Sequence, residues 1–109
     1  TIRFNSNHDF TDEEISTRIH SLSGQMLEQQ TPQRVAHRRA DKVRKRKVVS
    51  IDNILIEDNE IQFDVRCESG TYVKELVHSD EGRTNPSVAA LLETDCEVIL
   101  LDVKDIHAD

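Results

Sequence analysis

Residues 43–67 read VRKRKVVSIDNILIEDNEIQFDVRC, and this stretch decides the fold. In its second half Ile61, Phe63, Val65 and Cys67 alternate with Gln62, Asp64 and Arg66, the period of a strand with one buried face. In its first half Val43, Val48, Val49, Ile51, Ile54, Leu55 and Ile56 make an extended, largely β-branched region. Glu57-Asp58-Asn59-Glu60 between them reads as a turn, so the stretch is expected to form an antiparallel hairpin.

Towards the C-terminus, Gly70 ends the second strand and Thr71 can cap a helix carrying Val73, Leu76 and Val77 on one face. Asn85-Pro86 is expected to start another helix, with Asn85 as cap, Pro86 at the first helical position, and Val88, Leu91 and Leu92 inward. Residues 96–103 make a final strand. Towards the N-terminus, residues 2–4 suit a short strand. Thr11-Asp12-Glu13-Glu14 has the pattern of a capping box, and Ile15, Ile19 and Leu22 follow at helical spacing up to Gly24. This predicts a helix over 12–22. Residues 25–30 suit a short strand that stops at Thr31-Pro32. The order is β-α-β-β-β-α-α-β. The predicted class is α+β: a mixed, mainly antiparallel sheet with helices on one side.

The chain has 109 residues and 30 of them are Leu, Ile, Val or Phe, above the roughly 20 % below which chains stay disordered. One thin core is therefore expected, with no Trp, one Tyr and three Phe to fill it. No run approaches the ~18 apolar residues of a membrane span, and the start has no signal-peptide character. A cytoplasmic protein is expected. Met26 is the only methionine, which suits a fragment or a processed product.

Charge is unevenly placed. The formal net charge is −7, yet residues 34–47 hold eight of the fourteen Lys and Arg and one acid, Asp41. That segment carries +7 and the remainder −14. One basic face on an acidic body is expected. It reads either as a solvated charged strand or as a surface that tracks RNA phosphates.

The common mechanistic motifs are absent: no P-loop, GxSxG, HExxH or EF-hand pattern occurs. Glu57-Asp58-Asn59-Glu60 lacks the glycine and spacing of a metal loop and reads as a solvated turn. His78 and His107 have no nucleophile nearby in sequence. Cys67 and Cys96 lie 29 positions apart outside any CxxC, and are expected reduced and buried. No histidine stands near them at finger spacing, so no metal is expected. Two stretches stand out instead: TPQRVAHRRAD at 31–41, and SGTYVKELVHSDEGRTNP at 69–86. The second puts the only tyrosine at a strand-to-helix junction, two residues from Lys74.

With Val43-Arg44-x-Arg46 and Pro86-Ser87, these stretches resemble the C-terminal part of the archaeal tRNA pseudouridine synthases that act on T-arm uridines. The resemblance covers about 31–92; residues 96–103 fit the family's closing segment, and residues 1–30 match in general character. Gly70-Thr71-Tyr72 is also similar to the Gly-Thr-Tyr-Ile-Arg element of the bacterial T-arm enzyme. The resemblance implies that 1–109 is the C-terminal portion of a synthase catalytic domain, half of that domain's fold. It implies that Tyr72 lines the uracil pocket, that Lys74 pairs with the catalytic aspartate, and that Leu91 or Leu92 closes the base pocket. No Gly-x-x-Asp element occurs in the chain. The catalytic aspartate is therefore expected upstream, and the chain alone is expected to be inactive. Arg34, His37, Arg38, Arg39, Lys42, Arg44 and Arg46 are expected to contact tRNA, and no cofactor is expected. A non-catalytic RNA-binding module reusing the half-fold is the alternative, and a protein-interaction domain with an incidental basic stretch is a third.

Overall fold

The computed structural model describes residues 1–37 and 42–102. In chain order its elements are β1 (Ile2–Ser6), α1 (Asp12–His20), β2 (Met26–Gln30), a 3-10 turn (Gln33–Val35), β3 (Val43–Glu57), β4 (Glu60–Cys67), α2 (Val73–His78), β5 (Thr84–Asn85), α3 (Val88–Leu92) and β6 (Cys96–Leu101). The strands form one six-stranded sheet in the order β5-β2-β3-β4-β1-β6, and each of these pairings is antiparallel.

The expected hairpin is there, turned at Asp58-Asn59. Strand β3 does more than pair with β4. Residues 43–47 pair with β2, from Gln30↔Val43 to Met26↔Lys47, and from Val48 onward the partner is β4. Register shifts between Val48 and Ser50 and between Asp52 and Leu55 mark the change and bend the strand. Strand β1 then inserts between β4 and β6, with Ile2 opposite Phe63 on one side and Leu101 on the other.

Strand alternation sorts the side chains. Ile2, Phe4, Leu27, Val48, Ile51, Ile61 and Phe63 point to one face, where Ile15 and Ile19 of α1, Leu76 and Val77 of α2, and Val88 and Leu92 of α3 meet them in a single core. Phe4 and Phe63 pack edge-on, with centroids 6.1 Å apart. The helices thus cover one side of the sheet, as the sequence pattern predicts. Gln62, Asp64 and Arg66 occupy the other face of β4.

Some local expectations need correction. Thr71 does not cap α2: its hydroxyl donates to the carbonyl of Glu68 at 2.6 Å, closing the turn after β4, and Tyr72 takes the cap position. Asn85 does not cap α3, because pairing with Glu28 draws it into β5, a short strand absent from the sequence reading. Ser87 is the cap, accepting the Ala90 N–H at 3.2 Å. At α1 the Thr11 cap forms as expected, accepting the Glu14 N–H, but the helix ends at His20 and Leu22 reaches the core from the following turn. Strand β6 ends at Leu101; Val103 lies outside the described residues.

Both cysteines are free, Cys96 buried and Cys67 half-buried. Cys67 pairs with Val48 at one end of β4, whereas Cys96 pairs with Ser6, whose N–H reaches Asn59 at the other end. The length of β4, roughly 23 Å at ~3.3 Å per residue, separates the two ends. Burial pushes the Cys96 thiol from 9.0 up to about 11 and raises that of Cys67 as well.

Two outcomes follow from these assignments. Ser87→Ala should lower the unfolding free energy by about 1 kcal/mol, the usual value of a lost N-cap, whereas Asn85→Ala should cost clearly less. Urea titrations of the two variants decide between the caps. The folded Cys96 thiol ionises later than the unfolded one, so its contribution to stability is complete below pH 9.0 and is lost as pH rises towards about 11. At pH 8 native Cys96 should alkylate far more slowly than in urea, and equal rates would contradict its burial.

Candidate functional site

The two motif stretches meet at the β2–β5 end of the sheet, and a glutamine joins them. Gln29 follows Leu27 by two residues on the inward face of β2 and is 1 % exposed. Its Nε2 donates to the Tyr72 carbonyl at 2.9 Å and to the Thr84 hydroxyl at 3.3 Å, and its Oε1 accepts the Tyr72 N–H at 3.0 Å. Both backbone polar groups of Tyr72 are thereby satisfied at the start of α2, where no side-chain cap does so.

The ring of Tyr72 is half-buried, and the Arg34 guanidinium carbon lies 5.8 Å from its centroid. Arg34 is held from behind by Glu75. Arg34 Nε donates to Glu75 Oε2 at 2.9 Å and Nη2 to Oε1 at 3.1 Å, a bidentate fork. The hydrogen bond to Glu75 raises the basicity of Arg34 against the opposing effect of desolvation. The Glu75 carboxylate is buried although Arg34 is half exposed. His78 Nε2 stands 3.3 Å from Glu75 Oε2, and His78 Nδ1 accepts the Asp80 N–H, which leaves the ring proton on Nε2.

Further contacts tie residues 31–33 to the turn after α2. Asp80 accepts from Gln33 N at 2.9 Å and from Gln33 Nε2 at 3.2 Å, and Arg83 donates to the Thr31 carbonyl through Nε and Nη2. Ser79, Asp80, Glu81 and Gly82 all have positive φ, 75°, 52°, 56° and 87°. A left-handed run of three non-glycine residues is costly, by roughly 1–2 kcal/mol each. These bonds hold it in place.

Strand alternation divides the basic residues of β3. Arg44 and Arg46 lie on the inward side opposite Gln29 and Leu27, while Lys45 and Lys47 lie on the outward side opposite Glu28 and Met26. The single basic face expected from composition is thus split in two by the period of the strand. Arg46 leans on Gly70: a Cβ there would stand 3.3 Å from its Nε and 3.4 Å from its Nη2. Gly70 also has φ +87°, so both space and backbone favour glycine. Among the described residues, Arg46 Nε is buried without a hydrogen-bond partner. Lys42 and His37 are exposed. Arg38 and Arg39 lie outside the described residues, as does His107.

Lys74 is exposed on α2, and no ion pair holds it among the described residues. Of the two candidate leucines, Leu92 belongs to the core at 1 % exposure, and Leu91 is half-buried with its carbonyl accepting from Arg18. The site therefore brings together Tyr72, Arg34 and the inward face of Arg44 and Arg46, and leaves Leu92 out. Gln29, Glu75, Asp80 and Arg83 have no assigned role in the sequence reading. The signal for Gln29 was its place two residues from Leu27 in an alternating strand, an inward polar position that demands partners. Among the described residues no group of three or more His, Cys, Asp or Glu side chains is placed to hold a metal ion, and no helix is long and apolar enough to cross a membrane.

Residues 2–107 match the family model described as Pus10, C-terminal. A protein of Methanocaldococcus jannaschii named tRNA pseudouridine synthase Pus10 is 43 % identical over 97 residues, 89 % of this chain and 21 % of that protein. Its namesake in Methanothrix thermoacetophila is 48 % identical over 95 residues, 87 % of this chain and 21 % of that protein. The chain thus spans about a fifth of the length of these curated relatives. Among solved structures, a chain of a Cbf5-Nop10-Gar1 complex matches with a TM-score of 0.69 at 24 % identity, over 90 % of this chain and 26 % of that one. A chain of an H/ACA RNP bound to a substrate RNA containing 2'-deoxyuridine matches with a TM-score of 0.63 at 21 % identity, over 90 % of this chain and 24 % of that one. These structural likenesses concern the fold. By the match over 2–107, this chain belongs to the family of Pus10 C-terminal regions.

Proposed function

We propose that this chain is the C-terminal portion of the catalytic domain of a cytoplasmic tRNA pseudouridine synthase, in which it supplies one wall of the base pocket and part of the RNA-contact surface. The observation that carries the reading is the fixed tyrosine of the Gly70-Thr71-Tyr72 element, with the exposed Lys74 two residues on and two arginines of β3 on the inward face. The names of the curated relatives support it.

Such an enzyme must lift a uridine from its stack, detach the base from its ribose, turn it and rejoin it through carbon. The detached base needs a wall that does not move. Tyr72 offers a ring whose backbone is pinned at both polar groups by Gln29. Of the two leucines, Leu92 is fully buried in the core and Leu91 is only half-buried against it, which favours Leu91 as the one that closes the pocket. The reacting carboxylate comes from residues outside this chain. In a pocket that excludes water its pKa would rise, and an ammonium within ~4–6 Å opposes that rise. Lys74 has the free charge to do so. Arg44 and Arg46, with Lys42, His37, Arg38 and Arg39, meet the tRNA backbone.

The test is made on the longer protein that contains this chain. Lys74→Ala should lower the single-turnover rate of pseudouridine formation at saturating tRNA by about 10²–10³-fold, the cost of removing one preorganised charge partner, while a filter-binding isotherm changes little. Lys74→Arg should retain substantial activity, since it keeps the cation with a different geometry. A wild-type rate for Lys74→Ala would make Lys74 a surface lysine and remove the proposed pocket. Neutralising Arg44 and Arg46 together should reduce the slope of log affinity against log salt by about 1–2, since each lost phosphate contact releases about one counterion fewer. An unchanged slope would take these arginines off the RNA surface.

A further inference from the structure

Glu75 is a buried carboxylate that the proposed chemistry does not use. It lies between Lys74 and Leu76 on a six-residue helix, with its side chain 2 % exposed. A buried charge is costly unless paired, and well-packed apolar residues of similar volume are often no less stable. Stability alone therefore does not account for a carboxylate here. Its contacts are specific: both oxygens take the Arg34 fork, and His78 Nε2 stands 3.3 Å from Oε2. Arg34 is the side chain that lies over the ring of Tyr72. The carboxylate offsets the charge of Arg34 and leaves its planar group aimed at the ring, which suits a support better than a phosphate contact.

We propose that Glu75 is a positioning residue: with His78 behind it, Glu75 holds Arg34 against Tyr72 and so fixes the ring that lines the base pocket. The functional half of this inference rests on the reading of the site given above. Arg34 differs in this from Arg44 and Arg46, which have no carboxylate partner among the described residues. Glu75 acts through Arg34, so the two should behave as one unit in mutation.

Two measurements test the inference. The chain has one tyrosine and no tryptophan, so intrinsic fluorescence reports Tyr72 alone. Glu75→Gln keeps the shape and one acceptor but loses the charge and the fork. It should raise acrylamide quenching of Tyr72 and lower its anisotropy in the chain, and Arg34→Lys should do the same, because an ammonium cannot reproduce the fork. In the longer protein, Glu75→Gln should slow single-turnover pseudouridine formation at saturating tRNA by about 10–100-fold, the scale of a misplaced positioning group. The affinity for tRNA should not fall, and the Glu75→Gln/Arg34→Lys double variant should be no slower than the slower single variant. Quenching and anisotropy that stay at wild-type values in both single variants would overturn the inference, whether or not the longer protein is active. So would a double variant whose losses multiply. A longer wild-type protein that forms no pseudouridine overturns the proposed function, while the Tyr72 fluorescence still decides whether Glu75 positions the ring. If Glu75→Gln does not fold, Arg34→Lys carries both readouts.

Discussion

Everything in this domain depends on one strand serving two partners. A strand of fifteen residues exceeds the usual length, and β3 sustains it because its N-terminal third pairs with β2 and the rest with β4. At the change of partner, Val48 donates to the Gln25 carbonyl and accepts from the Gly24 N–H, so the ladder is not broken where the strand bends. Helix α2 bridges the two parts: Leu76 and Val77 enter the apolar core, while Tyr72 at its start and Glu75 and His78 along it meet Gln29 and Arg34.

The electrostatics of the site follow from that layout. A run of basic residues on a strand cannot make one face, since neighbours point in opposite directions. Lys45 and Lys47 go to the side of Glu28, and Arg44 and Arg46 to the side of Gln29. Arg34 leaves the group of unpaired cations altogether because Glu75 lies beneath it. Among the described residues, the cations of 34–47 therefore put less charge on the Gln29 side than their number suggests.

Much of the fold was legible in the sequence because its strongest signals are local. The Ile61–Cys67 alternation, the Thr11 cap and the apolar spacing of α2 each depend on residues close in sequence, and each formed. The failures share a cause: a long-range partner took the group that the local rule needed. Glu28 drew Asn85 into a strand, and Gln29 satisfied the Tyr72 N–H while Thr71 turned back to Glu68. At the site, the motif residues Tyr72 and Arg34 do come together, but what joins them was not legible. Gln29 lies 43 positions from Tyr72, and Glu75 lies 41 from Arg34. No local period encodes such pairings.

The place of β1 has a kinetic side. Its pairing with β6 joins Ile2 to Leu101, residues 99 positions apart, and its pairing with β4 joins Ile2 to Phe63, 61 positions apart. Closing a loop of that length costs conformational entropy before any contact repays it, and folds dominated by such distant pairs form slowly. The β3–β4 hairpin, with two residues between its strands, can form early and its β4 edge can take β1, but the outer edge of β1 then waits for β6. During synthesis β1 leaves the ribosome first and β6 last, so the sheet is completed only when residues near 101 emerge. Until then its aromatic centre, Phe4 and Phe63, lacks its closing strand and is exposed to chaperones or to aggregation.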